Sequence, residues 1–164
     1  MDARTESERT PMKNRTIVER KSERETVVTR TVNAPARIVF EAWTKPELFK
    51  KWWVPKSMGM TLASCEMDVR IGGKYRLVFA QGMAFFGTYT EVTPHSRLVW
   101  TNEEGGDNSS VTTVTFEEKE GKTLLVVSEL YASKEALDAA GGAAEALVET
   151  FEQLDELLVT LARA

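Results

Sequence analysis

Between residues 143 and 161 the apolar side chains Leu147, Phe151, Leu154, Leu158 and Leu161 recur in alternating steps of four and three. That spacing lays them in one stripe down a helix, with Glu145, Glu149, Glu152, Gln153 and Glu156 on the wet side. A single helix cannot bury such a stripe by itself. Most of the preceding chain is made of alternating, strand-like runs, so the helix is expected to lie across one curved antiparallel sheet. Such an arrangement closes a core at some levels and can leave a hollow at others. A coiled coil is the rival reading, but the run spans less than three heptads and the sheet needs a cover.

A chain of 164 residues is long enough for one domain with a self-sufficient core. Hydrophobic residues make up 42%, which places it among globular rather than disordered sequences. Residues 1–22 read as a flexible charged tail and 23–164 as the single domain. The opening MDARTESERTPMKNRTIVERKSERE alternates charges and has no hydrophobic region, so no signal peptide is expected. No apolar run approaches the length of a membrane span, and a cytoplasmic location follows as the expectation. A formal charge of −4 argues against broad nucleic-acid binding, which needs a positive surface to displace counterions. Cys65 is the only cysteine, which excludes an intrachain disulfide and a four-cysteine zinc site.

Taken in order, residues 24–33 alternate as a first strand. Asn33-Ala34-Pro35 then breaks it and opens a short amphipathic helix over IVFEAW. Thr44-Lys45-Pro46-Glu47 has capping-box spacing and starts a second short helix over LFKKWW. Strands follow in quick succession. Across 62–71, Cys65, Met67, Val69 and Ile71 share one face, and Gly72-Gly73 turns into Tyr75, Leu77 and Phe79. Further turn signals at Gln81-Gly82, at Thr93-Pro94-His95-Ser96, at 105–108 and at Gly121-Lys122 mark an antiparallel meander. Ser133 is placed to cap the final helix, and Gly141-Gly142 to interrupt it. The order is β-αα-β6-α: an α+β fold with a seven-stranded antiparallel sheet wrapped around a long C-terminal helix.

Candidate chemistry is sparse. His95, the sole histidine, falls in a turn, where a general base would face water and not a cleft. Cys65 stands on an apolar strand face with no cation or helix terminus implied nearby to lower its pKa, as a buried core thiol would. Gly72-Gly73 links two strands and opens no helix, so it is no phosphate loop. Asp68 and Arg70 share the face opposite Cys65, as a surface ion pair. Ser128, alternating with Leu124, Val126 and Leu130, is expected to turn its hydroxyl inward, and Thr113 sits similarly beside Val111. Glu129 and Tyr131 share a face and form the best acid/base pair in the chain.

The aromatic residues stand out. Trp43, Trp52 and Trp53 cluster around the short helices, and Trp100, Tyr75, Phe79, Phe85, Phe86 and Tyr89 lie on strands. Large aromatics give an apolar pocket both area and orientation. Adjacent tryptophans cannot both enter one core from a helix, so one of Trp52 and Trp53 is expected at the cavity mouth or in solvent; Trp53 and the 83–86 hairpin, from Met83 to Phe86, are the aromatic elements least expected to serve as mere core filling.

The strings TRTVNAPARIVFEAWTKPELFKKWWVP, CEMDVRIGGKYRLVF, GTYTEVTPHSRLVWT and VTTVTFEEKEGKTLLVVSELY resemble, in order and spacing, the activator-of-heat-shock-protein-90-ATPase homologue family. Those bacterial proteins belong to the START-like superfamily, SRPBCC, and share the helix-grip fold with polyketide cyclases and the birch-pollen allergen. The resemblance covers residues 24–161 and implies a cavity between sheet and helix, with no invariant catalytic set. Two departures bear on that cavity: a compact AQGMAFF hairpin, and GGAAEALVE in the final helix where relatives often carry a bulky residue after glycine.

The candidate lining is Phe40, Trp43, Trp52 and Trp53 from the helical insertion. The strands add Cys65, Met67, Tyr75, Leu77, Phe79, Phe85, Tyr89, Trp100 and Ser128, and the last helix adds Leu147 and Phe151. The leading expectation is a binding module for a small apolar molecule, without cofactor or metal, acting as monomer or homodimer and binding neither nucleic acid nor membrane. The alternatives are a co-chaperone-like interaction module with a chaperone partner, or a cyclase, dehydratase or hydrolase using the same cavity.

Overall fold

The alternating runs pair edge to edge into one antiparallel sheet. The computed structural model describes residues 15–106 and 109–163. It contains strands β1 Ile17–Arg20, β2 Glu25–Val32, β3 Leu62–Met67, β4 Lys74–Phe79, β5 Ala84–Thr93, β6 Arg97–Asn102, β7 Ser110–Lys119 and β8 Lys122–Leu130. Their spatial order is β1-β2-β8-β7-β6-β5-β4-β3. Strands β3 to β8 thus form a meander, and β2 joins it antiparallel to β8, with Val28 opposite Val127.

The sheet has eight strands where the sequence pattern predicts seven. The extra one, β1, falls in the stretch expected as tail, and Val18 pairs with Val28 of β2. Its backbone satisfies the free edge of β2 while only Val18 packs on the core, so four residues among charges left little hydrophobic signal. Residues 1–14 of the expected tail lie outside the described residues. A second difference concerns 62–71. Strand β3 stops at Met67, the chain bends through Asp68–Gly73, and Ile71 is 70% exposed instead of sharing the inner face.

Between β2 and β3 run α1 Ala36–Thr44 and α2 Pro46–Phe49. Neither expected side-chain cap forms: Pro35 precedes α1, whose Ala36 N–H donates to Glu118 at 3.0 Å. Thr44 donates back to the Phe40 carbonyl at 2.8 Å, and α2 is over before Trp52. The C-terminal segment holds α3 Lys134–Ala140 and α4 Ala143–Arg163. Here the Ser133 cap is present, accepting from Ala136 N at 3.0 Å, and Gly142 at φ 79° makes the break between the helices.

The apolar stripe of α4 divides in two. Phe151, Leu154 and Leu158 are fully buried against Val28, Val32, Leu98, Val114 and Leu125 of the sheet and against Trp43 and Trp52. Truncating one of the leucines to alanine is expected to cost about 2–5 kcal/mol. Leu147, one turn earlier, is only half-buried. Polar ties fix the packed half. Arg30 of β2 donates to Asp155 of α4 at 2.6 and 3.0 Å with both side chains largely covered. Gln153, expected on the wet side, is buried. Its amide donates to the Trp52 and Val54 carbonyls and accepts from Lys56 N, all at 2.9 Å, so it clamps the loop after α2 onto α4.

Candidate functional site

Where the stripe of α4 loosens, small residues take over. Ala136, Ala139 and Ala140 of α3, with Ala143, Ala144 and Leu147 of α4, form one wall of a cavity of about 520 Å³. The facing wall comes from the sheet: Thr26 and Val28 of β2, Val127 and Glu129 of β8, Ser110 and Thr112 of β7, and Trp100 and Asn102 of β6. Trp53, Phe85, Tyr131, Glu104 and Gly105 complete it. A smaller hollow of about 50 Å³ adjoins it, lined by Trp43, Phe49, Trp53, Met67, Tyr75, Leu77, Phe85, Tyr89, Trp100 and Asn102. Trp53, Phe85, Trp100 and Asn102 border both spaces.

The period of the strands explains which polar groups arrive. On β6, Leu98 and Trp100 face the helix, and two residues on Asn102 must face the same way. On β7, Phe116, Val114, Thr112 and Ser110 share that face, and on β8 Leu125, Val127 and Glu129 do. Asn102 sits at their meeting point. Its Oδ1 accepts from Trp100 Nε1 at 3.1 Å and from the Tyr75 hydroxyl at 2.8 Å, and its Nδ2 donates to Ser110 at 3.0 Å and Thr112 at 2.8 Å. Since an indole can only donate, the amide's orientation is fixed. Ser110 passes the chain on, donating to Glu129 Oε2 at 2.8 Å.

Burial pushes the Glu129 carboxyl above the usual carboxylate range, and the charge of Glu104 adds to the rise. Hydrogen bonds from Ser110 and Thr112 pull the other way. Burial likewise raises the Tyr131 hydroxyl, with Glu129 adding to it, to about 12, and raises Tyr75 and Tyr89 further. The three tyrosines are therefore neutral hydrogen-bonding groups near pH 7. Trp43 Nε1 is buried without a hydrogen-bond partner among the described residues, an orphan donor beside the small hollow. No group of three or more His, Cys, Asp and Glu among the described residues is placed to hold a metal ion.

Of the residues singled out in the sequence, Trp43, Trp53, Met67, Tyr75, Leu77, Phe85, Tyr89, Trp100 and Leu147 border one or other space. Phe40, Trp52, Phe79 and Phe151 do not; they are core. Phe40 packs on Phe116 and His95, Phe79 on Phe85, and Trp52 on Trp43 and Phe49 while donating to the Ala42 carbonyl at 3.0 Å. Trp52 and Trp53 do part company, one buried and one at the cavity, although a turn and not a helix carries them. Met83 and Phe86 are exposed.

Ser128 is misplaced by the sequence reading. It lies on the outer face and donates to Glu25, because Leu124 to Val127 are apolar on both faces and hide the strand's parity. Thr113 of β7 is outward too, on the same face as the exposed Val111. Cys65 contacts Met67 Sδ at 3.7 Å and borders a separate groove with Pro46 and Lys50; burial raises its thiol pKa, while Lys50 pulls it down. His95 occupies an exposed turn, and Asp68 pairs with Arg70 at 2.9 Å on the surface. The residues not foreseen include Asn102, Ser110, Thr112, Glu104 and the alanines. For Asn102 the signal was present, two positions from Trp100.

No helix of the described residues is long and apolar enough to cross a membrane. Solved structures with the same fold include a protein from Rhodobacter sphaeroides, 24% identical with a TM-score of 0.79, covering 88% of this chain and 99% of that one. A protein from Nitrosomonas europaea is 25% identical with a TM-score of 0.76, over 88% of this chain and 100% of that one. One from Staphylococcus aureus, described as of unknown function, is 20% identical with a TM-score of 0.66, over 93% and 99%. No curated protein matches the chain. The pattern of the family described as "Activator of Hsp90 ATPase homolog 1-like protein" matches residues 33–159, most of the described domain. The chain belongs to this activator of Hsp90 ATPase homolog 1-like family, with the START-like helix-grip fold.

Proposed function

We propose that the protein binds a small, largely apolar molecule between its sheet and its C-terminal helices. The observation that carries this reading is the cavity of about 520 Å³, which lies within the range of small-molecule sites, roughly 300–1,000 Å³. Its composition suits the task. Trp53, Phe85, Trp100, Val28, Val127 and Leu147 offer apolar area, while Asn102, Ser110, Thr112, Glu129 and Tyr131 converge at one side to orient a polar end. The alanine wall is the feature that keeps the space free, since leucine-sized side chains at the same positions would reach into it.

The test is a melting and fluorescence screen of the purified protein against apolar metabolites: fatty alcohols, aromatic polyketides, sterols and terpenoids. A ligand that binds the native state raises the melting temperature in proportion to the logarithm of its concentration. Trp53 and Trp100 border the cavity, so the same ligand should shift tryptophan emission. A panel that moves neither signal would contradict the reading. An enzyme acting in the same space is the second reading, favoured by Glu129, whose carboxyl pKa burial raises above the usual range, at the end of the Asn102–Ser110 chain. It requires that a bound molecule be recovered chemically changed, and that Glu129→Gln stop the change.

A further inference from the structure

We propose that the cavity selects a ligand whose polar end is a protonated amine; the inference rests on the binding reading above and names the chemical class that the site takes. The motivating observation is a one-sided charge distribution. Two carboxyl side chains, Glu104 and Glu129, border the cavity, and among the described residues lining it there is no lysine, arginine or histidine. Among the described residues Glu129 is met by hydroxyl groups: Ser110 Oγ at 2.8 Å, with Thr112 beside it. A buried carboxylate without a counter-charge is costly, and an ammonium brought in by a ligand is the missing partner.

The walls agree with this. The rings of Trp53, Trp100 and Tyr131 border the same space, and aromatic faces attract a desolvated cation. An anionic head would meet the opposite: two like charges, no fixed cation among the described lining residues, and low-dielectric walls that strengthen the repulsion. A neutral alcohol would find hydrogen bonds but no ion pair. The expected order of affinity is therefore amine, then alcohol, then carboxylate, for one and the same apolar body. That order is the reverse of what a fatty-acid carrier needs, where a basic side chain holds the acid.

The experiment is calorimetric titration of the full chain with 4-phenylbutylamine, 4-phenylbutanol and 4-phenylbutanoate at pH 7.5. The amine should bind about tenfold more tightly than the alcohol, as a charge-assisted hydrogen bond gives. The carboxylate should bind more weakly than either. Glu129→Gln, which keeps the shape and the Ser110 contact, should bring the amine down to the level of the alcohol while leaving the alcohol in place. A carboxylate that binds as tightly as the amine overturns the inference and leaves the cavity reading standing. So does an amine preference that survives Glu129→Gln. Silence from all three heads contradicts the cavity reading itself, and the amine preference falls with it.

Discussion

The Tyr75 hydroxyl lies 2.8 Å from Asn102 Oδ1, and this one bond ties the small aromatic hollow to the polar side of the large cavity. Asn102 contacts both tyrosine and indole donors on one side and the Ser110–Thr112 hydroxyls on the other. The sheet delivers Tyr75 from β4 and Asn102 from β6 by strand period alone, so the link is a property of register.

Replacing that hub should be expensive. Asn102→Ala removes the acceptor of Trp100 Nε1 and leaves Ser110 and Thr112 without their donor. The expected loss is about 1–3 kcal/mol, the penalty for stranded polar groups, read as a lowered urea midpoint at unchanged slope. Stability equal to wild type would mean that solvent replaces the network without cost.

Gly87 of β5 passes so close to β6 that a Cβ there would stand 1.7 Å from the Thr101 carbonyl oxygen and 2.8 Å from the Tyr75 ring. Backbone cannot give way as a flexible side chain can. Gly87→Ala should therefore destabilise the domain by roughly 3 kcal/mol and displace Tyr75, visible as a changed tyrosine and tryptophan near-ultraviolet signal. A variant with native melting and native signal would refute the close approach.

The Arg30–Asp155 pair fastens β2 to α4 where both side chains are largely covered. Asp155→Ala leaves the guanidinium with Thr16 at 2.7 Å as its remaining side-chain partner, and the cost should be about 3–5 kcal/mol. The paired change Arg30→Met with Asp155→Leu should recover most of it, as measured by denaturant unfolding. Failure of the double variant to recover would point to a role beyond charge.

Stability should also respond to pH through Glu129. Its folded-state pKa is raised above the unfolded value, so over the window between the two the native state holds more protons than the unfolded chain. Stability from this group is complete at low pH and is lost as pH rises from the ordinary carboxylate range through the raised value. Glu129→Gln removes the loss, and the melting-temperature difference between variant and wild type should grow in the variant's favour from pH 4 to pH 8. Glu104 works in the same direction on Glu129, while Tyr75 and Tyr131, also nearby, stay neutral throughout. A difference that is flat with pH would show that Glu129 titrates as an exposed carboxylate does.

Much of this architecture was legible in the chain. The stripe through Phe151, Leu154 and Leu158 indicated a helix over a sheet, and the turn signals gave the meander its six strands, because burial has a period and turns have a chemistry. Three things escaped. Strand β1 has one inward residue, Val18, too little for a pattern. The run Leu124 to Val127 is apolar on both faces, so Ser128 was assigned to the wrong one and Glu129's inward turn followed only from three-dimensional register. Gln153 sits on the polar side of the helical wheel, yet the loop carrying Trp52 folds over it, a contact between residues a hundred positions apart that no local pattern records.

The space bordered by Ala144 and Trp100 is the one proposed to take up an apolar molecule. Ala144→Phe is built to fill it from the helix side while keeping the sheet intact. The direct measurement is a fluorescence titration of the neutral probe N-phenyl-1-naphthylamine against wild type and Ala144→Phe at matched concentrations. Saturable one-to-one enhancement in the wild type, weakened at least about tenfold in a variant that melts no lower, is the predicted result. Equal enhancement by both proteins, or none by either, would contradict it.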